Sequence, residues 1–559
     1  MSMDTLASDL LWEIFLLNAN MDDDSYYKIN SNTTAAENYE RAEIRSRAMV
    51  TTTYTSQVCR RWRTLLLTSS SLWGRVVDLE LLFLGKENWR VEVLRRTGIS
   101  LLYVKGRFKQ SVKLYVHQNA VIALLDREWP RIQKFHVTLG LSNDHGPLGT
   151  HPFWGVIQRP AEHLESFTLT LKVNQMLQPL DDTETPPIRL FLDHAPSLRE
   201  FSCTDLWIRG PQTVMFSSNI RTIALDHTPG VLTNPPFSFS VPDCLDGLAM
   251  TPHLEKLTLY SALKSSSSGS SIKPTRNVNL QFIEEISLFD SPILLTQLLR
   301  HITPGDKLHR LKIHSRSYDS EGIRSPRDEA FLGIAELFSR YPRVRSRDPP
   351  AAILVNFTYD SLLIRELDVQ NLWSSFRRGS GLHIHISGLR DSSYSSVSAI
   401  FETFSPWFAH TLTHLQIQTG HDTAGIDGIG SLFSNFLSVR VVCLNVRTPR
   451  VIASLIAPEA DALPFPQLKK LELISELRLL DVADNKQAII SLLSQRRKAG
   501  NPIEVLCFTY MGRNLVEEEE SFEWLEIFTG LRVIWATHGK TTREYVCGQW
   551  ALVPDAQHL

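Results

Sequence analysis

A short apolar triplet, φ-x-x-φ-x-φ with φ an apolar residue, recurs along most of this 559-residue chain and constrains its fold more than any other feature. It falls at Ile99/Leu102/Val104, Ile132/Phe135/Val137, Leu164/Phe167/Leu169, Leu198/Phe201/Cys203, Ile220/Ile223/Leu225, Leu254/Leu257/Leu259, Ile283/Ile286/Leu288 and Leu308/Leu311/Ile313. It continues at Ile364/Leu367/Val369, Leu412/Leu415/Ile417, Val439/Val442/Leu444, Leu468/Leu471/Leu473, Ile503/Leu506/Phe508 and Leu531/Ile534/Ala536. Most steps are about 22 to 35 residues, a period at which small structural units stack. The alternation within each triplet makes a short strand with one buried face. Segments 293–302, 330–341, 396–408, 429–437 and 487–497 carry a helical pattern between triplets. Strand and helix in steady alternation predict an α/β fold of parallel strands with crossover helices. No single unit can bury its own face, so the units stack into a solenoid. A shared context supports true repeats: Pro196-Ser197-Leu198-Arg199-Glu200, Pro252-His253-Leu254-Glu255-Lys256 and Pro466-Gln467-Leu468-Lys469-Lys470 each put a proline turn before a leucine that enters the strand. The steps on either side of Ile364 are long, and the strand-like stretch 382–386 is expected to supply a missing unit.

Ahead of the array stand two apolar pieces, LASDLLWEIFLL at 6–17 and TSQVCRRWRTLLLTSSSLW at 55–73. Leu6, Leu10, Leu11, Ile14, Phe15 and Leu17 make one stripe of a helix, with Asp9 near its N-terminal backbone N–H groups. Val58, Trp62, Leu65 and Leu66 repeat at helical spacing, with Arg60, Arg61 and Arg63 mostly off that face. Trp73 follows a serine break and ends a short third element. Such a small cluster lies near the lower limit of about 40 residues for an unaided core, so something else must cover it. Between the two pieces, 18–32 reads as a polar loop with the solvated run Asp22, Asp23 and Asp24; Thr34 and Glu37 then form a capping box that starts a helix reaching residue 50. Segment 79–97 reads as one helix.

At these residues the chain resembles an F-box protein of the kind abundant in fungi. The matching positions are Leu6, Asp9, Leu10, Leu11, Ile14 and Phe15, then Val58, Cys59, Arg60, Trp62 and Arg63, then Leu72 and Trp73. Ala7 replaces the usual proline, Asp9 the usual glutamate, and the insert before Val58 is unusually long. The array similarly resembles the divergent leucine-rich repeats that follow the F-box in this family, although the expected Asn or Cys after each triplet is mostly missing, which predicts an irregular arc. The resemblance implies an F-box at 1–78 with an insert at about 18–53, a helical connector at 79–98, a repeat domain at 99–545 and a tail at 546–559.

It also implies a function. The chain would be the substrate receptor of a cullin–RING ubiquitin ligase, with a Skp-type adaptor seated on Leu6, Leu10, Leu11, Ile14, Phe15, Val58, Trp62, Leu72 and Trp73. Trp62 serves either that surface or the segment's own core. A protein target would lie on side chains that alternate with the triplets: Lys256, Tyr260, Arg310, Lys312, His314, Glu366, Asp368, His414, Gln416 and Lys470. The alternatives are an F-box scaffold that recruits no cullin and an α/β enzyme.

No catalytic constellation favours the enzyme, and no cofactor is expected. The stretch 425–430 is glycine-rich but lacks a phosphate-cradle order, and His383 and His385 have no third ligand spaced nearby. Cys59 reads as a packed residue, and Glu517–Glu520 as a solvated helix start. The six cysteines are scattered, without C-x-x-C pairs, which predicts neither zinc nor a disulfide framework. A net charge of −2 gives no electrostatic argument for nucleic acid or anionic membrane. The basic, proline-rich stretch 340–350 and the serine-rich stretch 265–271 read as a surface loop and a linker. No secretory signal or membrane span is evident, so the expected location is the cytoplasm, the nucleus or both.

Overall fold

The structure is a computed structural model that describes residues 7–23, 47–108, 118–141, 152–173, 189–205, 213–227, 239–264, 276–315, 352–358, 361–366, 382–387, 410–419, 436–445, 464–475, 483–510, 522–537 and 543–548. The chain is mixed α/β with extensive parallel pairing, in two compact units, Met1–Leu280 and Gln281–Leu559.

The first unit opens with helices α1 (Ser8–Asn18), α2 (Ala48–Thr55), α3 (Arg60–Thr68) and α4 (Ser70–Gly74). Strands β1 (Val77–Asp78), β2 (Leu102–Phe108), β3 (Ile132–Leu141), β4 (Ser166–Val173), β5 (Glu200–Thr204), β6 (Thr222–Asp226) and β8 (Lys256–Tyr260) then pair in parallel, each with the next. Strands β7 (Phe239–Ser240) and β9 (Leu263–Lys264) form a separate parallel pair. Chain order equals sheet order because each unit lays its strand beside the one before it.

The aligned triplets make a continuous core. Phe135, Phe167 and Phe201 are opposite one another in register, with ring centroids 5.4 and 5.7 Å apart. Trp129, Phe153 and Phe191 pack edge-on or stacked around that ladder. The proline context has a structural cause. Leu198, Leu254 and Leu468 each donate a backbone N–H to the carbonyl three residues back, on Ala195, Thr251 and Phe465, which puts the proline second in a turn where its fixed φ fits.

The first triplet is misplaced in the sequence reading. Ile99 is 97% exposed, and β2 pairs Val104 with Phe135 and Gly106 with Val137. The apolar partner there is a glycine because a Cβ on Gly106 would lie 2.8 Å from the Cβ of Leu79. Leu79 begins α5 (Leu79–Leu84), which is separate from α6 (Glu87–Thr97). The single helix expected at 79–97 is thus two, broken at Gly85, where a Cβ would meet the Trp89 ring at 2.8 Å. Helices α7 (Gln118–Glu128), α8 (Phe153–Ile157) and α9 (Val241–Leu248) connect later strands.

Next in the chain come β10 (Val278–Leu280), β11 (Glu285–Asp290), β12 (Ile302–Pro304) and β13 (Arg310–Ser315). In the second unit β11 pairs in parallel with β13, and β13 with β16 (Leu382–Ser387). Strand β16 confirms a strand at 382–386. Strands β14 (Ala352–Thr358) and β15 (Ser361–Glu366) were not both anticipated; β15 is antiparallel to β14 and to β16. Ile364 is therefore in an antiparallel strand, while Leu367 and Val369 lie outside the described residues. Strand β14 then pairs in parallel with β17 (His414–Thr419), followed by β18 (Val441–Asn445), β19 (Lys470–Ser475), β20 (Val505–Tyr510) and β21 (Arg532–Thr537), with β22 (Arg543–Val546) antiparallel at the end. The last triplet is also displaced: Val533, not Ile534, is opposite Leu506. Helix α10 (Pro292–Arg300) matches the pattern at 293–302, and α11 (Ala483–Lys498) that at 487–497. The patterns at 330–341 and 396–408, most of 429–437, and the stretches at 265–271, 340–350, 425–430 and 517–520 lie outside the described residues. So do Leu6, Asp24 and most of the helix expected from 34 to 50; of that helix only α2 is seen, starting at Ala48.

Candidate functional site

The nine residues assigned to an adaptor divide between a core and a surface. Leu11, Phe15, Trp62, Leu72 and Trp73 are buried. Phe15 meets Trp62 edge to face at 5.4 Å, and Trp73 Nε1 donates to the Leu66 carbonyl at 2.9 Å. The structure therefore assigns Trp62 to the segment's own core. Leu10 is 56% exposed, Val58 63% and Ile14 36%. Leu17, at 74%, extends the exposed line along α1 at i, i+4 and i+7, and Tyr54 at the end of α2 is exposed as well. Leu6 lies outside the described residues. Helix α1 is thus apolar on two faces, one packed and one presented to solvent. Cys59 caps α3, its Sγ accepting the Trp62 N–H at 3.5 Å. Arg61 donates to Ser8 Oγ at 3.2 Å and ties α3 to the start of α1. Buried Arg47 reaches Glu80 at 3.0 Å and Asp78 at 3.4 Å, joining this segment to the beginning of the sheet.

The polar face of the first sheet carries residues that the sequence reading passed over. Register puts Tyr103, Lys134, Ser166, Glu200, Thr222 and Lys256 in one row, with Lys105, His136, Thr168, Ser202, Ala224 and Thr258 in the next. Asp22 is exposed, as expected, but it is also tied to the sheet: its carboxylate accepts from Lys134 Nζ at 2.8 Å, and Lys105 Nζ donates to the Met21 carbonyl. Burial pushes Asp22 up, but Lys134, with help from His136 and Lys105, outweighs it and holds the carboxyl below its ordinary value. Ser166 Oγ donates to Glu200 at 2.7 Å and lies 2.9 Å from His136 Nε2. Its one proton is committed to Glu200, so His136 donates to it. That polarity suits binding and not activation of the serine as a nucleophile. Burial lowers the His136 pKa. These positions were legible as the alternates of the triplets, but nothing in the sequence brings Asp22 to them.

Of the ten residues assigned to a target, Lys256 is exposed and Tyr260 half-buried, both on β8 of the first unit. The others belong to the second unit. Arg310 and Lys312 on β13 pair with Glu285 at 3.0 and 3.3 Å, and His314 lies beside Phe289. His414, Gln416 and Lys470 are half-buried on β17 and β19; burial lowers the His414 pKa. Strands β16, β15 and β14 separate the β13 residues from those on β17, so the structure does not gather them into one patch. Glu366 ends β15, and Asp368 lies outside the described residues.

The chain matches no protein-family model and no curated protein. Among the described residues, no group of three or more His, Cys, Asp or Glu side chains is placed to hold a metal. Burial pushes the Cys244 thiol up to about 12 and Cys507 up to about 11, so neither is a ready thiolate. No helix among them is long and apolar enough to cross a membrane. The arrangement offers surfaces for binding: an apolar line on α1 and a hydroxyl-rich, ion-paired sheet face.

Proposed function

We propose that the chain is an F-box substrate receptor of a cullin–RING ubiquitin ligase. Its N-terminal helices serve as the F-box, and its parallel units as irregular leucine-rich-repeat-like modules. The observation that carries this reading is the second apolar face of α1. Leu10, Ile14 and Leu17 stay exposed although Leu11 and Phe15 already anchor the helix to its neighbours. An apolar line of this kind on a small helical segment fits a groove on a Skp-type adaptor, with Val58 as a further contact. The buried candidates Leu11, Phe15, Trp62, Leu72 and Trp73 act indirectly, as the core that carries this face. A protein target would meet the polar face of a sheet, with Lys256 and Tyr260 at the β8 side of the first unit. The chain has no chemistry of its own in this reading; ubiquitin transfer falls to partner subunits.

The test is co-purification of the full chain with a Skp-type adaptor and a cullin. Leu10→Asp with Ile14→Asp should abolish capture of both partners while circular dichroism stays unchanged. Retention of the adaptor by that variant would overturn the proposal. Adaptor capture without cullin would favour the scaffold alternative. Phe15 is unsuitable for this test because it is 1% exposed and its loss should destabilise the segment itself.

A further inference from the structure

A second surface, independent of the adaptor reading, lies between α6 and α7. The two helices leave a cleft of about 760 Å³. Leu94 and Leu124 contribute apolar lining, and Ala120 and Ala123, one turn apart on α7, leave room for a large side chain. Val91 and Ile99 on the opposite wall are 58% and 97% exposed, although both are apolar and β-branched.

The lining is also strongly cationic. Arg90, Arg95, Arg127 and Arg131 line it with Glu128, while Glu87 and Glu92 pair with Arg90, Arg95 and Arg96 from beside it, so five arginines face three carboxylates. These arginines are fixed in place. Arg95 is held by both oxygens of Glu92 at 2.8 and 2.9 Å. Arg127 and Arg131 share Glu128 at 2.7 and 2.6 Å, and Arg131 also donates to Thr97 Oγ1 and the Ser100 carbonyl. Arg90 lies over the Phe83 ring at 4.7 Å. Arg95 and Arg127 remain 70% and 65% exposed as side chains and keep donors free for a visitor. Helical walls offer no strand edge for pairing an extended peptide, so the geometry favours a helix laid into the groove.

We propose that this cleft docks an amphipathic helix of a partner protein, its apolar stripe flanked by aspartates or glutamates. The apolar stripe enters over Ala120 and Ala123, and the carboxylates meet Arg95 and Arg127.

A phage-displayed library of random peptides of about 16 residues, long enough for four helical turns, supplies the probe when panned on the full chain. The expected result is enrichment of peptides with apolar residues at i and i+3 or i+4 and an excess of acidic residues. In fluorescence anisotropy their affinity should fall roughly tenfold or more on Ala123→Trp, which fills the cleft, and on Arg95→Glu with Arg127→Glu, which inverts its rim. All three positions are exposed, and circular dichroism checks that the fold persists. Failure to enrich any peptide, enrichment without acidic excess, or unchanged affinity for Ala123→Trp would overturn the proposal.

Discussion

The two units are built from the same triplet, yet they differ in how faithfully chain order becomes sheet order. In the first, the strands from β1 to β6, and then β8, follow one another without reversal. In the second, β14 to β16 enter the sheet in reverse, so β13 pairs with β16 and β14 with β17. The cores differ too. In the first, Phe135, Phe167 and Phe201 stack along one row, whereas in the second the row Val442, Leu471, Leu506 and Val533 is aliphatic and the rings of Phe508, Phe522 and Trp535 form a separate cluster. An aromatic ladder adds ring stacking to area burial, so the first unit should suffer more from loss of one rung.

That contrast can be broken by substitution. Phe167→Ala, at the centre of the ladder, should destabilise the first unit by about 3–5 kcal/mol in chemical denaturation. Leu471→Ala should cost its own unit about 2–5 kcal/mol, and less than Phe167→Ala if the stacking argument holds. Equal losses would remove the distinction. Next in size is Arg496, a buried cation in the second unit whose guanidinium donates to the Pro464 and Phe465 carbonyls at 2.9 and 2.8 Å. Burial pushes its pKa down to about 10, so it remains charged near neutral pH. Arg496→Met leaves those carbonyls without this donor and should cost about 1–3 kcal/mol. Phe465 makes the site more sensitive, because its φ of 55° is a left-handed conformation that Arg496 helps to hold.

The smallest effect belongs to the Asp22–Lys134 bridge. It is partly exposed, so Asp22→Asn should cost at most ~1 kcal/mol. Its sign with pH is definite. The folded pKa of Asp22 is below the ordinary value, so the contribution is present above that ordinary value and lost as pH falls through the lower, folded one. A carboxyl resonance that titrates at or above the ordinary aspartate range would contradict the bridge.

Much of this architecture was legible in the chain because a triplet with one buried face has few ways to be satisfied. Phe135, Phe167, Phe201, Leu257 and Leu471 are all where alternation puts them. The failures have local causes. Gly106 hides a repeat position because Leu79 needs the space, and Val533 is displaced because the turn before β21 enters one residue earlier. The β14–β15 reversal carries no periodic signature that separates it from two further parallel units. On the N-terminal helices, composition marks Leu10, Leu11, Ile14 and Phe15 alike, and packing alone separates those facing inward from those facing out. Asp22 reaches Lys134 across a sequence separation of 112 residues, a contact with no local signal.

The central claim concerns that outward face, and a calorimetric titration of a purified Skp-type adaptor into the full chain tests it most directly. Leu10→Asp with Ile14→Asp should weaken binding by roughly a hundredfold or more relative to the unsubstituted chain, while the thermal unfolding transition stays in place. Equal heats and equal affinity for the two proteins, or no binding to either, would contradict it.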